Sequence, residues 1–171
     1  MKSSFIILAT GAIKTPNGSF AAHYSAAGLA RLEFPGRKKI AQTPAASPAV
    51  RRWHKQAGLA LARVLQGRAA GKLPPLDLAA ATPFQRKVWT ALRQIPAGQS
   101  ETYGRLAAVL GAPRAARAVG SACGANPIPL LIPCHRVLPS GGGLGGFSGG
   151  LHWKRMLLTR EGCQPAKNGE L

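Results

Sequence analysis

Cys134-His135-Arg136 is the stretch of this chain whose residue types and spacing are best suited to chemistry. A thiolate is a strong nucleophile, and neighbouring imidazole and guanidinium groups favour the charged form of a thiol. The tripeptide therefore predicts a depressed thiol pKa at Cys134. Adjacent residues of an extended chain point to opposite sides, so His135 reaches the sulfur only if the backbone turns sharply or a water relays the proton. Upstream, Pro129 and Pro133 bracket the apolar run Leu130–Ile132. That run reads as a short buried strand that must end or turn at Cys134, because proline cannot continue a central ladder. A Cys-His pair alone is weak evidence, since most are a buried cysteine beside a surface histidine.

The elements that must position this stretch follow from periodicity. Thr82-Pro83-Phe84-Gln85 combines an N-cap threonine, proline at the first helical position and a capping-box glutamine. Phe84, Val88, Trp89, Leu92 and Ile95 form the buried stripe of the helix that follows. After the Pro96-Ala97-Gly98 turn, Thr102 caps a second helix, Tyr103–Leu110, closed by Gly111. Pro113 opens a third, running to about Cys123 and stopped by Gly124. Two short helices joined by Gly-Ala-Pro read as a helix-turn-helix. In the third helix Ala115, Ala118, Val119 and Ala122 form a slim packing face. Arg117, Gly120, Ser121 and Gly124 form an exposed face with almost no bulk, which suits close approach rather than reading base edges in the major groove, or else belongs to an Ala/Gly-rich packing helix with a solvated arginine.

Residues 1–48 hold short apolar runs, Phe5–Ala9, Ser19–Tyr24 and Gly28–Phe34, broken by Gly and Pro as in strands joined by turns. The run Phe5–Ile13 after Lys2 loosely mimics a secretion signal, but no small-residue cleavage site follows and the strand reading is preferred. Residues 49–66 form an amphipathic helix, with Trp53, Ala57, Leu61, Val64 and Leu65 on one face. Gly67–Ala81 is rich in Gly, Pro and Ala, contains a candidate strand at Leu76–Leu78, and marks a domain boundary. The expected fold class is α/β: a small N-terminal α/β domain (short sheet plus helix, residues 1–81 with the linker), then an α-rich winged helix-turn-helix domain over 82–171. Residues 163–171 are expected to form a loose tail.

Charge narrows the partners. The 171 residues carry 23 Lys and Arg against 5 Asp and Glu, a net charge of +18. Twelve of the cations and two of the acids precede residue 79, so both halves are basic. Such a field favours polyanions, nucleic acid first and anionic membrane surface second. No stretch is long and apolar enough to span a bilayer. Cys123, Cys134 and Cys163 are widely spaced and odd in number, which argues against a disulfide framework or a structural zinc site and suits a reducing compartment. Gly141-x-Gly143-x-x-Gly146 has the spacing of a dinucleotide fingerprint, but no strand–helix unit surrounds it and no acidic residue follows at the required distance.

Taken together, the motifs resemble a known family. Pro133-Cys134-His135-Arg136-Val137, preceded by Asn126-Pro127 and followed by Ser148-Gly149-Gly150 and Glu161-Gly162, is similar to the O6-alkylguanine-DNA alkyltransferases. Thr82–Gln85, Tyr103–Ala107 and Ala115–Gly120 match the same family in order, so the resemblance covers about residues 82–162. It implies repair of O6-alkylguanine, and of O4-alkylthymine, in double-stranded DNA by single-turnover transfer of the alkyl group to Cys134 after base flipping. It implies that His135 acts as base through a water, oriented by Glu161. Tyr103 would protonate the leaving guanine and help turn the backbone phosphate, and Asn126 would tie the helix to the active-site turn. Arg117 would fill the gap left by the flipped nucleotide. Tyr103, Arg117, Ala118, Gly120, Ser121, Gly124 and Arg136 form the expected DNA-binding set, lying in the minor groove. Val137, Phe147, Ser148 and Lys154 would line the guanine pocket, with phenylalanine standing where many members have tyrosine. No cofactor is expected, and no metal, because no cysteine precedes residue 123 to hold the zinc that some members bind. The expected protein is a cytoplasmic monomer. Two readings without the family stay open at the level of motifs: a winged-helix regulator that does no chemistry, and a cysteine hydrolase.

Overall fold

The computed structural model describes residues 6–36, 39–43 and 47–163. It divides into two compact units, one of residues 1–63 and 70–80, the other of 64–69 and 81–171.

In the first unit, three strands, β1 (Ala9–Thr15), β2 (Gly18–Tyr24) and β3 (Leu29–Glu33), form an antiparallel sheet in that order. Ile13 pairs with Phe20 and Ala22 with Leu32, and burial of Phe20, Ala22, Tyr24, Leu29 and Leu32 places the core on this sheet. The first strand starts only at Ala9, the last residue of the expected run Phe5–Ala9, and Phe5 lies outside the described residues. Ile6, Ile7 and Leu8 are exposed, so local hydrophobicity there does not mark the buried segment. Helix α1 (Pro48–Leu65) turns Ala57, Leu61, Val64 and Leu65 inward, as its periodicity predicts, while Trp53, expected on the same face, is only half-buried. The candidate strand at Leu76 is reduced to a single parallel bridge with Leu29. It is anchored by buried Asp77, whose carboxylate accepts hydrogen bonds from the Ser25 hydroxyl and the Ala79 amide. Gly28 permits this approach, because a Cβ there would lie 2.2 Å from the Pro75 carbonyl oxygen.

In the second unit, α2 (Pro83–Leu92) begins with the full capping box. Thr82 Oγ1 accepts from the Gln85 amide while Gln85 Oε1 accepts from the Thr82 amide, an arrangement that stabilises a helix start by about 1 kcal/mol. Strand β4 (Glu101–Thr102) leads into α3 (Tyr103–Val109), capped by Thr102 as expected, and α4 (Ala116–Gly124) completes the helix-turn-helix. Helix α4 starts three residues beyond Pro113. Ala115 provides no capping side chain and its amide bonds back to Ala112, so Pro113 belongs to the preceding turn. Its buried face is Val119, Ala122 and Cys123, whereas Ala118, expected to pack, is exposed. The Trp89 indole locks α2 to α4 by donating to the Ala122 carbonyl at 2.8 Å.

Leu130–Ile132 is buried but is not a strand. Leu130 is left-handed at φ 69°, and the Ile132 amide bonds the Ile128 carbonyl, so this run is a tight turn. Cys134–Arg136 then form one turn of 3₁₀ helix, and β5 (Val137–Leu138) pairs parallel with β4. Helix α5 (Leu151–Arg160) closes the unit. Cys163, assigned by sequence to a loose tail, is buried with Leu138, Leu144 and Leu158; the residues beyond it lie outside the described ones.

Candidate active site

One amide side chain shapes the turn that carries the cysteine. Asn126 is buried just beyond α4; its Oδ1 accepts from the Ile128 amide, and its Nδ2 donates to the Ile132 carbonyl at 2.8 Å and to Cys134 Sγ at 3.2 Å. An amide N–H aimed at sulfur favours the thiolate over the thiol. The turn itself settles the backbone question raised by adjacency: Cys134 and His135 lie on a 3₁₀ turn rather than on an extended chain.

His135 is fully buried. Its Nε2 lies 3.0 Å from Glu161 Oε1, and its Nδ1, also buried, has no hydrogen-bond partner in the protein. Burial holds the imidazole below its ordinary pKa, against the opposing pull of Glu161, so the ring is neutral and able to accept a proton. Glu161 sits at the C-terminal cap of α5, the end of a helix dipole that disfavours a carboxylate. Burial alone would raise its pKa, but hydrogen bonds from His135 and Arg136 outweigh that and hold it at about 2.

Arg136 has a different place from the one expected. It is buried rather than on a DNA-facing surface, with Nε 3.0 Å from Glu161 Oε2, Nη2 2.8 Å from Oε1, and Nη1 donating to the Ile95 carbonyl. Its carboxylate partner lies 25 residues away in sequence, and that pairing draws the guanidinium inward. The Gly98 amide also approaches Glu161 Oε2, at 3.5 Å. Ile95 and Gly98 thus serve the site through backbone groups, which no side-chain motif announces.

Cys134 is 4% exposed, and its pKa is raised, not depressed. Desolvation is the main cause, opposed by the Asn126 hydrogen bond and by the charge of Lys154. The expectation of a depressed pKa weighs neighbouring cations without the cost of burial. Lys154 is fully buried, donates to the Val137 carbonyl at 2.7 Å, and is lowered by burial to about 8. Cys123, to which the sequence assigns no role, is also buried and within electrostatic reach of Cys134 and Lys154, with its thiol pushed up to about 12, chiefly by burial.

Tyr103 is half-buried, and burial raises its hydroxyl to about 12, with smaller contributions from Cys123 and Cys134; it stays protonated as a donor. A Cβ on Gly120 would stand 3.9 Å from the Tyr103 ring, in ordinary contact with it, so the ring packs beside α4 at this position. Arg117, Ala118, Ser121 and Gly124 are exposed on α4. Val137 is buried, and Phe147 is half-buried with its ring edge-on to His135 at a centroid distance of 6.4 Å. Ser148 is exposed. Asn126, Cys134, His135, Glu161 and Lys154 are therefore brought together with Val137 and Phe147. The α4 residues form a separate exposed face. Among the described residues no group of three or more His, Cys, Asp or Glu could hold a metal ion.

Comparison with known proteins gives the following similarities. Residues 83–163 match the family described as 6-O-methylguanine DNA methyltransferase, DNA binding domain. The chain is 55% identical over 97 residues to a methylated-DNA–protein-cysteine methyltransferase of Salmonella typhimurium, a match covering 54% of this chain and 57% of that protein. The chain thus spans little more than half the length of that relative. Over 152 residues it is 41% identical to the methylated-DNA–protein-cysteine methyltransferase of Methanosarcina barkeri, covering 87% of this chain and 94% of that one. Among solved structures it resembles Mycobacterium tuberculosis OGT in complex with DNA, with a TM-score of 0.73 and 37% identity over 88% of this chain and 91% of that one. It also resembles an O6-methylguanine DNA methyltransferase from Methanococcus jannaschii, with a TM-score of 0.67 and 29% identity over 90% of this chain and 94% of that one.

Proposed function

The chain belongs to the methylated-DNA–protein-cysteine methyltransferase family, and from that premise we propose that it repairs O6-alkylguanine in DNA by moving the alkyl group irreversibly to Cys134. The observation that carries this reading is the polar constellation around one buried sulfur: Asn126 donates to it, and the next residue is a neutral imidazole braced by Glu161.

The damaged guanine leaves the stack and enters the pocket beside Val137 and Phe147, since chemistry on a base requires its extrusion. The thiol proton passes through one water to His135 Nδ1, the ring nitrogen without a protein partner. Glu161 stabilises the imidazolium that results, and the sulfur attacks the alkyl carbon in line with O6. The S–C bond forms as the C–O6 bond breaks, the electron pair stays on the purine, and the Tyr103 hydroxyl supplies the proton that returns it to guanine. The proton taken up by His135 then restores the Tyr103 hydroxyl through solvent, so the thiol proton is the one the guanine gains overall. Asn126 and Lys154 stabilise the thiolate as it forms. A thioether offers no leaving group at neutral pH, so each molecule acts once.

The exposed, low-bulk face of α4 suits the minor groove, with Arg117 as the long side chain that replaces the flipped nucleotide. The protein acts as a monomer on double-stranded DNA in the cytoplasm or nucleoid, and O4-alkylthymine is a second substrate. Among the described residues no helix is long and apolar enough to cross a membrane.

Incubation with duplex DNA carrying O6-methylguanine, followed by intact-mass measurement and peptide mapping, tests the proposal. The expected result is a gain of one methyl group per molecule on the peptide containing Cys134. No gain would point to a regulator that only binds, and repeated turnover of small esters or amides to a hydrolase. Arg117→Ala is expected to slow repair in duplex DNA by tenfold or more while leaving reaction with a free alkylated base nearly unchanged. Equal slowing of both would remove Arg117 from base flipping.

A further inference from the structure

Repair as proposed engages the exposed face of α4 and leaves the positive charge of the first unit without a task. Part of that charge lies on α1. Arg51, Arg52 and Lys55 are exposed and share one face, at spacings of three and four residues, and the helix contains no acidic residue. Like charges at these spacings repel, and they sit near the N-terminal end of the helix, where the dipole also disfavours cations. The four carboxylates among the described residues are engaged elsewhere. Glu33 pairs with Arg31 and His23, Asp77 with Ser25 and Ala79, Glu101 with Arg105, and Glu161 with His135 and Arg136. Arg51 and Lys55, with His54, line one side of a cleft of about 560 Å³ whose other walls include Thr10, Tyr24 and Thr43. A concave surface lined by one sign of charge focuses its field on an approaching anion.

We propose that Arg51 and Lys55, which line this cleft, and the adjacent exposed Arg52 form a second phosphate-binding surface that grips the DNA backbone independently of α4. The inference rests on the repair reading and adds a grip that base flipping and alkyl transfer do not require. A lipid surface is the less suitable polyanion. Membrane-binding helices need an apolar stripe beside their cations, whereas α1 turns its apolar residues inward and exposes only Leu59 among its large hydrophobics. Binding to phosphate needs no apolar anchor and no fixed sequence, and each neutralised phosphate releases a counterion.

The test uses the full chain carrying Arg51→Gln, Arg52→Gln and Lys55→Gln together, beside a charge-matched control with Lys14→Gln, Arg68→Gln and Lys72→Gln, all at exposed positions. Affinity for a short undamaged duplex is measured across a range of NaCl concentrations, methyl transfer from O6-methylguanine DNA by intact mass, and binding to phosphatidylglycerol vesicles by sedimentation. The α1 variant is expected to lower the slope of log K against log salt by roughly two to three, at about 0.9 for each phosphate no longer neutralised, while the control lowers it much less. Its reaction with a free alkylated base is expected to match the unsubstituted chain. An unchanged slope with methyl transfer intact overturns this surface and leaves the repair reading standing. An equal fall in the control, or a loss confined to vesicle binding, also overturns it. If the unsubstituted chain neither binds DNA nor gains a methyl group, both fall together.

Discussion

A Cys134→Ser variant gains no methyl group from O6-methylguanine DNA, even over times long enough for the unsubstituted chain to react completely. A serine hydroxyl is a far weaker acid than a thiol, and a neutral imidazole braced by one carboxylate does not convert it to alkoxide at the concentration needed to displace a purine. The variant remains folded, because Ser Oγ can accept the Asn126 amide hydrogen that Sγ accepts, and the side chain it replaces is buried and nearly isosteric. It also still binds DNA, since Cys134 contributes almost no surface. Loss of transfer with retained binding therefore assigns the chemistry to this one atom. A methyl group appearing on the variant would move the acceptor elsewhere, and Cys123, the other thiol within electrostatic reach of Lys154, is the first place to look.

The second large effect is expected at Glu161. Glu161→Ala leaves the Arg136 guanidinium buried without its counter-charge, and removing one partner of a buried pair costs about 3–5 kcal/mol. Glu161→Gln keeps the shape and loses the charge. It should be milder in stability but still slow methyl transfer by roughly a hundredfold or more, because the imidazolium formed during transfer loses its stabilising carboxylate. The pH dependence separates the two roles. Glu161 is lowered from its ordinary 4.5 to about 2, so its contribution to stability is present above 4.5 and is lost as pH falls toward 2. His135, also lowered, destabilises in the same direction, since below about 6.5 the unfolded chain takes up a proton that the buried ring resists. Acid unfolding of Glu161→Gln is thus expected to be flatter than that of the parent between pH 4.5 and 2. Equal slopes, followed by tryptophan fluorescence or circular dichroism, would mean that Glu161 is not the titrating group.

What the sequence reveals is largely what local interactions decide. The capping box at Thr82 and Gln85, the cap at Thr102 and the inward face of α1 depend on neighbours within four residues, and the structure bears out all three. Features decided by distant partners are less legible. A short apolar run such as Leu130–Ile132 is compatible with any buried backbone, so periodicity suggests a strand, whereas Asn126 hydrogen bonds hold a turn. A basic chain invites Arg136 to be placed toward DNA, and nothing local announces Glu161 as its partner. Lys154 has no periodic signal. Only the family resemblance brings it to the site from sequence, and the structure buries it beside Val137.

The left-handed residue at position 130 bears on which replacements the chain can accept. Leu130 is 1% exposed, so apolar character is demanded there, yet its φ of 69° is a conformation in which branching at Cβ is penalised. Isoleucine and valine, the usual stand-ins for a core leucine, are therefore poorer tenants of this position than methionine, which keeps an unbranched Cβ and a similar volume. Hydrophobicity and size alone would rank those substitutions in the wrong order, four residues from the sulfur.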